Sequence, residues 1–444
     1  MKMTDGGVTS AKGFMASSCA AGVKYKDRLD MAMVYSEKPC VAAGTFTSNV
    51  VKAAPVLWDR RIIREGTGDV RAVVVNTGIA NAGTGKEGMR LCEETAKTAS
   101  GKLGIDKDEV LIGSTGVIGP QLNMKAIENG IEMLAGSLSD TREAAHHAAE
   151  AIMTTDTHPK ECAIEFEIDG KTVTLGGMAK GSGMIHPNMC TMLSYIMTDA
   201  DISKELLQKA LSEVVIDTFN MVSVDGDTST NDTLIVMANG EAGNAKIASE
   251  GADYDAFKEA LYKITENLAR QLAGDGEGAT KLVTCNIINA SDKDKARVLA
   301  KSVITSSLTK AAMYGNDANW GRILCAMGYS GAQFDPEKLD IYFEGQHVGT
   351  MAPYQRYRTA FEYTKEWVRD GFAISPFSLP LEAGVKIAKA DPFDGLFGVF
   401  ADSLPDGWGR LLVDRLLLKN NINPSEIDNL NRLAVVQQSG MGAL

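Results

Sequence analysis

Two spacings of apolar residues run through this chain. Short apolar runs bounded by turn formers predict strands at 12–14, 31–35, 41–46, 72–75 and 110–112. Residues 163–176 alternate with period two about Asp169-Gly170, which predicts a hairpin. Apolar positions three and four apart predict helices over 87–103, 123–136, 141–153, 202–214 and 254–273, the last stopped by Gly274. A further strand is predicted at 282–290 and a helix at 293–312. Residues 1–60 read as strands and turns. Polar, glycine-bearing loops separate these elements at 76–81, 113–119, 222–231, 275–281 and 314–322.

One stretch organises the rest, from Lys180 to Ala200. Gly181 and Gly183 punctuate its first half, and Pro187 and Asn188 are turn formers. Its second half, 192–197, is an apolar run that reads as a buried strand or a helix start. Thr191 stands at the boundary, after the small Cys190. A hydroxyl where a loop enters the core is well placed for a nucleophile, because the scaffold fixes it while the loop admits substrate. The same residue is also what a strand start recruits for its β-branched shape, and the spacing leaves both readings open.

Composition narrows the classes. A chain of 444 residues, 44% hydrophobic and 23% charged, is ordinary for a globular protein of two or three domains. A net charge of -12 without a basic cluster argues against nucleic acid as a partner. Seven cysteines without any C-x-x-C spacing argue against a zinc site and a disulfide framework, and fit a reducing cytoplasm. Residues 1–20 lack the pattern of a signal peptide, and no apolar run reaches the ~18 residues of a membrane span.

The loops carry the remaining chemistry. Gly113-Ser-Thr-Gly-Val-Ile-Gly119 follows a strand but lacks both glycine-rich nucleotide patterns, which leaves a turn or an oxyanion hole. Glu277, between two glycines, is either a solvated loop residue or a carboxylate presented to a ligand. His146 and His147 read as a solvated helix face rather than metal ligands, and the acidic loop at 222–231 lacks the glycine and glutamate of a calcium site. Near residue 340 the composition changes. Residues 345–444 hold 11 of the 28 aromatics and none of the seven cysteines, which marks a domain boundary.

Six of these segments occur together in a known order: Gly113-Ser-Thr-Gly116, Met153-Thr-Thr-Asp-Thr157, Lys180-Gly-Ser-Gly-Met184, Pro187-Asn-Met-Cys-Thr-Met-Leu193, Gly276-Glu-Gly-Ala-Thr-Lys281 and Asn316-Asp-Ala-Asn-Trp-Gly-Arg322. On them, residues 1 to about 340 resemble the ornithine acetyltransferase (glutamate N-acetyltransferase) family of arginine biosynthesis. The resemblance implies an α/β (α+β) fold, an αββα sandwich. It implies that the precursor cuts itself between Cys190 and Thr191, giving an α chain of 1–190 and a β chain from 191 to about 340. Thr191 then becomes an N-terminal nucleophile whose own α-amine, with an ordinary pKa near ~8, serves as its base. Acetyl passes from N2-acetyl-L-ornithine to Thr191 and on to L-glutamate, with acetyl-CoA left open as a further donor. Thr115 and Gly116 match the oxyanion-hole pair. Thr154, Lys180, Thr191 and Glu277 match the substrate-binding positions. No metal and no cofactor are implied, and the expected assembly is an α2β2 heterotetramer in the cytoplasm.

Beyond about residue 338 a different resemblance takes over. Gly345-Gln-His-Val-Gly-Thr350, Ser375-Pro-Phe-Ser-Leu-Pro380, Phe400-Ala-Asp-Ser-Leu-Pro-Asp-Gly-Trp408 and Met441-Gly-Ala-Leu444 are similar to the N-terminal subdomain of HipA-type serine/threonine kinases. This implies a small α+β module at 341–444 without the kinase's catalytic residues, and a join between two proteins in which the acetyltransferase part is truncated. Two competing readings follow: a catalytically impaired fusion acting as a toxin-derived interaction module, and an autoproteolytic aminopeptidase of similar fold.

Overall fold

A computed structural model describes residues 1–66, 69–186 and 192–343, and the backbone of 346–350. Met1–Leu282 and Val283–Leu444 are separate compact units, and each is taken on its own. The first contains strands β1 (Lys2–Thr4), β2 (Phe14–Cys19), β3 (Met31–Phe46), β4 (Asp69–Asn76), β5 (Val110–Ser114), β6 (Lys160–Ile168), β7 (Lys171–Lys180), β8 (Leu193–Thr198) and β9 (Thr233–Ala238). Its helices are α1 (Ala54–Glu65), α2 (Gly85–Leu103), α3 (Met124–Gly136), α4 (Arg142–Ala151), α5 (Lys204–Asp217) and α6 (Ala252–Gly274).

The strands form one sheet in the order β1-β6-β7-β8-β9-β3-β4-β5, with β2 also paired to β3. The pairs β8–β9 and β4–β5 are parallel, and the others are antiparallel. The long β3 joins two halves. Met31–Tyr35 pairs with β2 and β4, the register shifts between Tyr35 and Cys40, and Val41–Phe46 pairs with β9. The sequence pattern predicts two strands here because Glu37, Lys38 and Pro39 are polar or turn-forming. They are exposed at the shift, and the strand continues past them.

Alternation along β8 and β9 shows the layers. Tyr195, Met197, Ile235 and Met237 pack in one core with β2–β5 and α1–α4, while Ile196, Leu234 and Val236 pack in another with α5 and α6. The sheet halves are therefore buried on both faces between two helical layers, the αββα sandwich that the resemblance implies. Burial on both faces explains why these strands read as continuous apolar runs.

Several local readings are corrected. Residues 1–60 are not all strands and turns: α1 starts at Ala54 with a proline in its first turn and buries Trp58, Ile62 and Ile63. Strand β2 begins at Phe14, where the predicted strand ends. The fully buried β9 was not predicted.

The second unit has helices α7 (Lys293–Thr305), α8 (Ser307–Tyr314) and α9 (Trp320–Gly328), then a hairpin of β10 (Asp340–Phe343) and β11 (Gln346–Thr350). The predicted strand at 282–290 is not a strand. The helix predicted over 293–312 breaks at Ser306, whose side chain caps α8 by accepting the Thr309 N–H at 3.2 Å. The predicted loop at 314–322 already enters α9 at Trp320. Leu299, Val303, Ala326 and Met327 form a small core. Apolar runs at 359–363 and 397–400 predict strands and the spacing at 407–419 predicts a helix, and all three lie outside the described residues.

Candidate active site

Strand β5 delivers the first part of the site, and α1 holds β5 in place. The Trp58 indole N–H donates to the Val110 carbonyl at 3.0 Å. The Ile112 N–H donates to the fully buried Asp59 at 2.8 Å. Burial pushes the Asp59 carboxyl well above the usual carboxylate range, against the single backbone donor that lowers it. Past Ser114 the chain turns along the 76–82 loop. Thr115 N–H donates to Asn76 O at 3.1 Å, Val117 N–H to Gly78 O at 3.1 Å and Gly119 N–H to Ala82 O at 2.9 Å.

Gly116 sits inside this zipper with φ +130°. A Cβ there would lie 2.3 Å from the Gly78 carbonyl carbon, so both backbone angle and space require glycine. The Gly116 N–H makes no hydrogen bond among the described residues. Asn231 supports the turn from the other side. Its amide donates to Ser114 O at 2.7 Å and to Ala80 O at 2.6 Å, and its carbonyl accepts the Thr230 hydroxyl at 2.6 Å.

Lys180 ends β7 and reaches the same place. Its ammonium donates to Thr154 Oγ1 at 2.7 Å and to Thr115 Oγ1 at 3.3 Å, and lies 4.0 Å from Asp156. Thr154 is carried by the loop after α4, which Arg28 secures by donating to the Met153 and Thr154 carbonyls. Burial pulls the Lys180 ammonium below the usual lysine range, and Asp156 opposes this. Burial also works against a charged Asp156, but Lys180, Lys160 and the Thr154 N–H hold its carboxyl down at about 2. Glu277 approaches from the turn after α6. Its N–H donates to Ser182 O at 3.0 Å, and its carboxylate lies against Gly183.

Thr115, Gly116, Thr154, Lys180 and Glu277 line one cavity of about 360 Å³. They come from four separate segments, and the fold brings all five together. Cys190 and Thr191 lie outside the described residues. The flanks of that segment, Ile185 and Met192, also line the cavity. Tyr25, Asn231 and Asp232 line it too and were not singled out in the sequence, where nothing local distinguishes them from ordinary loop residues. The rim is apolar and open: Val117 is 44% exposed, Ile118 43% and Met184 43%. A hydroxyl, a backbone N–H, a buried cation and an exposed carboxylate thus line one cavity. No group of acidic, histidine or cysteine side chains that could hold a metal occurs among the described residues. No helix among them is long and apolar enough to cross a membrane.

Comparison with known proteins sets this geometry in context. The profile of the ArgJ family matches residues 15–367. The chain belongs to the ArgJ family. It is 51% identical over 336 residues to arginine biosynthesis bifunctional protein ArgJ 1 of Clostridium acetobutylicum, covering 76% of this chain and 81% of that protein. It is 49% identical over 344 residues to the ArgJ protein of Caldanaerobacter subterraneus subsp. tengcongensis, covering 78% and 84%. A crystal structure of the Bacillus halodurans ArgJ protein is 43% identical and covers 43% of this chain and 97% of that one, with a TM-score of 0.41. A second profile, the HipA N-terminal domain, matches residues 339–444 and overlaps the end of the ArgJ match.

Proposed function

We propose that this ArgJ-family chain is a glutamate N-acetyltransferase of arginine biosynthesis, which moves acetyl from N2-acetyl-L-ornithine to L-glutamate through an acetyl-Thr191 intermediate. The observation that carries this reading is the convergence of Thr115, Gly116, Thr154, Lys180 and Glu277 on one cavity, beside both flanks of the 187–191 segment.

The chemistry balances without a redox partner. Hydrolysis of the Cys190–Thr191 peptide bond, with water leaving a carboxylate on Cys190, frees the Thr191 α-amine, which then takes the proton from its own hydroxyl. The hydroxyl oxygen attacks the acetamide carbon of N-acetylornithine. The negative charge that develops on the carbonyl oxygen is met by the Thr115 hydroxyl and the Gly116 N–H. Collapse breaks the C–N bond, the proton passes to the departing amine, and ornithine leaves. The glutamate amine then attacks the Thr191 ester, giving N-acetylglutamate and the free hydroxyl. Lys180 supplies a cation for the substrate carboxylate, Glu277 an anion for an ammonium, and Thr154 orients Lys180. The substrates are small molecules, acetyl-CoA being a further donor to test, and the chemistry requires no cofactor.

In the same reading the cut gives an α chain of 1–190 and a second chain of 191–444, whose acetyltransferase β part is 191–340, in an α2β2 assembly in the cytoplasm. A HipA-like segment at 341–444 is joined near residue 340; the HipA profile match starting at residue 339 supports that join, while the ArgJ profile match runs on to residue 367. The reading as an impaired fusion gains no support, since about three quarters of the chain matches enzymes of arginine biosynthesis.

Purified protein incubated with N-acetylornithine and glutamate should form N-acetylglutamate and ornithine in equal amounts. Denaturing gels should resolve fragments 1–190 and 191–444, and Thr191→Ala should remain one chain. Correctly folded wild type that stays uncut and forms no product would sink the reading. Release of amino acids from short peptides, with N-acetylornithine untouched, would point to the aminopeptidase instead.

A further inference from the structure

Behind the cavity lies a second set of charges that the reaction as described does not use. Lys160, at the start of β6, is fully buried. Its ammonium binds Asp156 at 2.7 Å and Asp275 at 2.6 Å. None of the three lines the cavity. Burying such charges is unfavourable, and a well-packed apolar cluster is commonly as stable or more so, so packing does not account for the trio.

What the trio touches does account for it. Asp156 also accepts the Thr154 N–H at 3.0 Å and the Gly181 N–H at 2.6 Å. Asp275 accepts the Thr157 N–H at 2.9 Å and the Thr157 hydroxyl, and stands two residues before Glu277. Lys160 thus ties the loop carrying Thr154, the end of β7 carrying Lys180, and the turn carrying Glu277.

We propose that Lys160, bound between Asp156 and Asp275, is a positioning residue of the acyl-transfer site: it fixes Thr154, Lys180 and Glu277 relative to one another and holds Asp156 where its charge acts on Lys180. The inference rests on the reading of Lys180 and Glu277 as substrate-binding groups. The charges acting on Lys180 are Asp156 from the loop after α4, Lys160 from β6, Glu277 from the turn after α6 and Asp232 from the residue before β9. Arg28 is engaged by the Met153 and Thr154 carbonyls. Burial and Lys160 disfavour the Lys180 ammonium, while the three carboxylates favour it.

Charge changes within the trio should therefore move Lys180 in opposite directions. Asp156→Asn removes an attraction, and the Lys180 titration should fall by about one unit. The double variant Lys160→Met, Asp275→Asn removes a repulsion together with the carboxylate that would be left unpaired, and the titration should rise. Asp275→Asn alone keeps the Lys160–Asp156 pair but frees the Glu277 turn. It should leave the titration in place and raise KM for glutamate about tenfold through misplacement of the turn.

The Lys180 titration is read on the whole chain by competitive labelling with acetic anhydride and mass spectrometry, across neutral to alkaline pH. Cooperative thermal unfolding checks each variant, and if Asp156→Asn does not fold, the double variant carries the test. Opposite shifts in the two charge variants support the proposal, and an unmoved Lys180 titration in both overturns it. Shifts as expected in a protein that does not turn over N-acetylornithine and glutamate would overturn the substrate reading while leaving the role of the trio intact.

Discussion

Gly113 tests whether the geometry of β5 is as tight as the structure shows. A Cβ at this position would lie 2.1 Å from the Tyr195 hydroxyl and 3.1 and 3.2 Å from the Val75 methyls. Tyr195 is fully buried in β8, and its hydroxyl has no hydrogen-bond partner among the described residues. Gly113→Ala must therefore shift either Tyr195 or β5, and such overpacking costs about 1–3 kcal/mol. Tyr195→Phe removes the clashing atom. Because that hydroxyl is buried without a partner, its loss should be neutral or mildly stabilising. The double variant should then recover most of the lost stability, a coupling of about 1–2 kcal/mol in a double-mutant cycle. Urea denaturation of the four proteins measures it. Activity should follow the same pattern, since Gly113 lies two residues before Thr115 and a shift of β5 moves the oxyanion pair. If the two substitutions simply add, the clash is absent and the close approach of Gly113 to the Tyr195 hydroxyl is wrong.

Three further outcomes follow from the site. Thr115→Ala should slow both self-cleavage and acetyl transfer by ~10²–10³, as loss of one oxyanion donor does, with little change in KM, measured by gel densitometry and steady-state kinetics. Gly183→Ala would place a Cβ 2.5 Å from the Glu277 carboxyl carbon and should raise KM for the amino-acid substrates more than it lowers kcat. The Asp156 carboxyl, held at about 2 when folded, lies below its unfolded value near ~3.9. Its contribution to stability is therefore full above about pH 4 and is lost as pH falls through about 2, a loss on the order of 2 kcal/mol. Urea midpoints should fall over that window in wild type and stay flatter in Asp156→Asn, and identical slopes would refute the assignment.

Both strand periodicity and local loop chemistry were legible along the chain. The continuous apolar runs of β4, β5 and β8, the hairpin at Asp169-Gly170 and most helices could be read because each rests on neighbours within a few residues. Thr115-Gly116, Thr154, Lys180 and Glu277 became candidates through the resemblance carried by their compact glycine- or threonine-rich segments, since local pattern alone left the 113–119 loop and Glu277 open. What the sequence could not show is what meets across long separations. Lys160 pairs with Asp156 four residues away but with Asp275 115 residues away. Asn231 reaches the Ser114 carbonyl from 117 residues away. Local pattern could not reveal the passage of β3 past a polar stretch to join two sheet halves, whereas α1, with its proline start and its buried Trp58, Ile62 and Ile63 at helical spacing, was there to be read. Periodicity reports which face of an element is buried. Which partner buries it is decided only when the layers close, and it is that closure which turns four separate segments into one cavity.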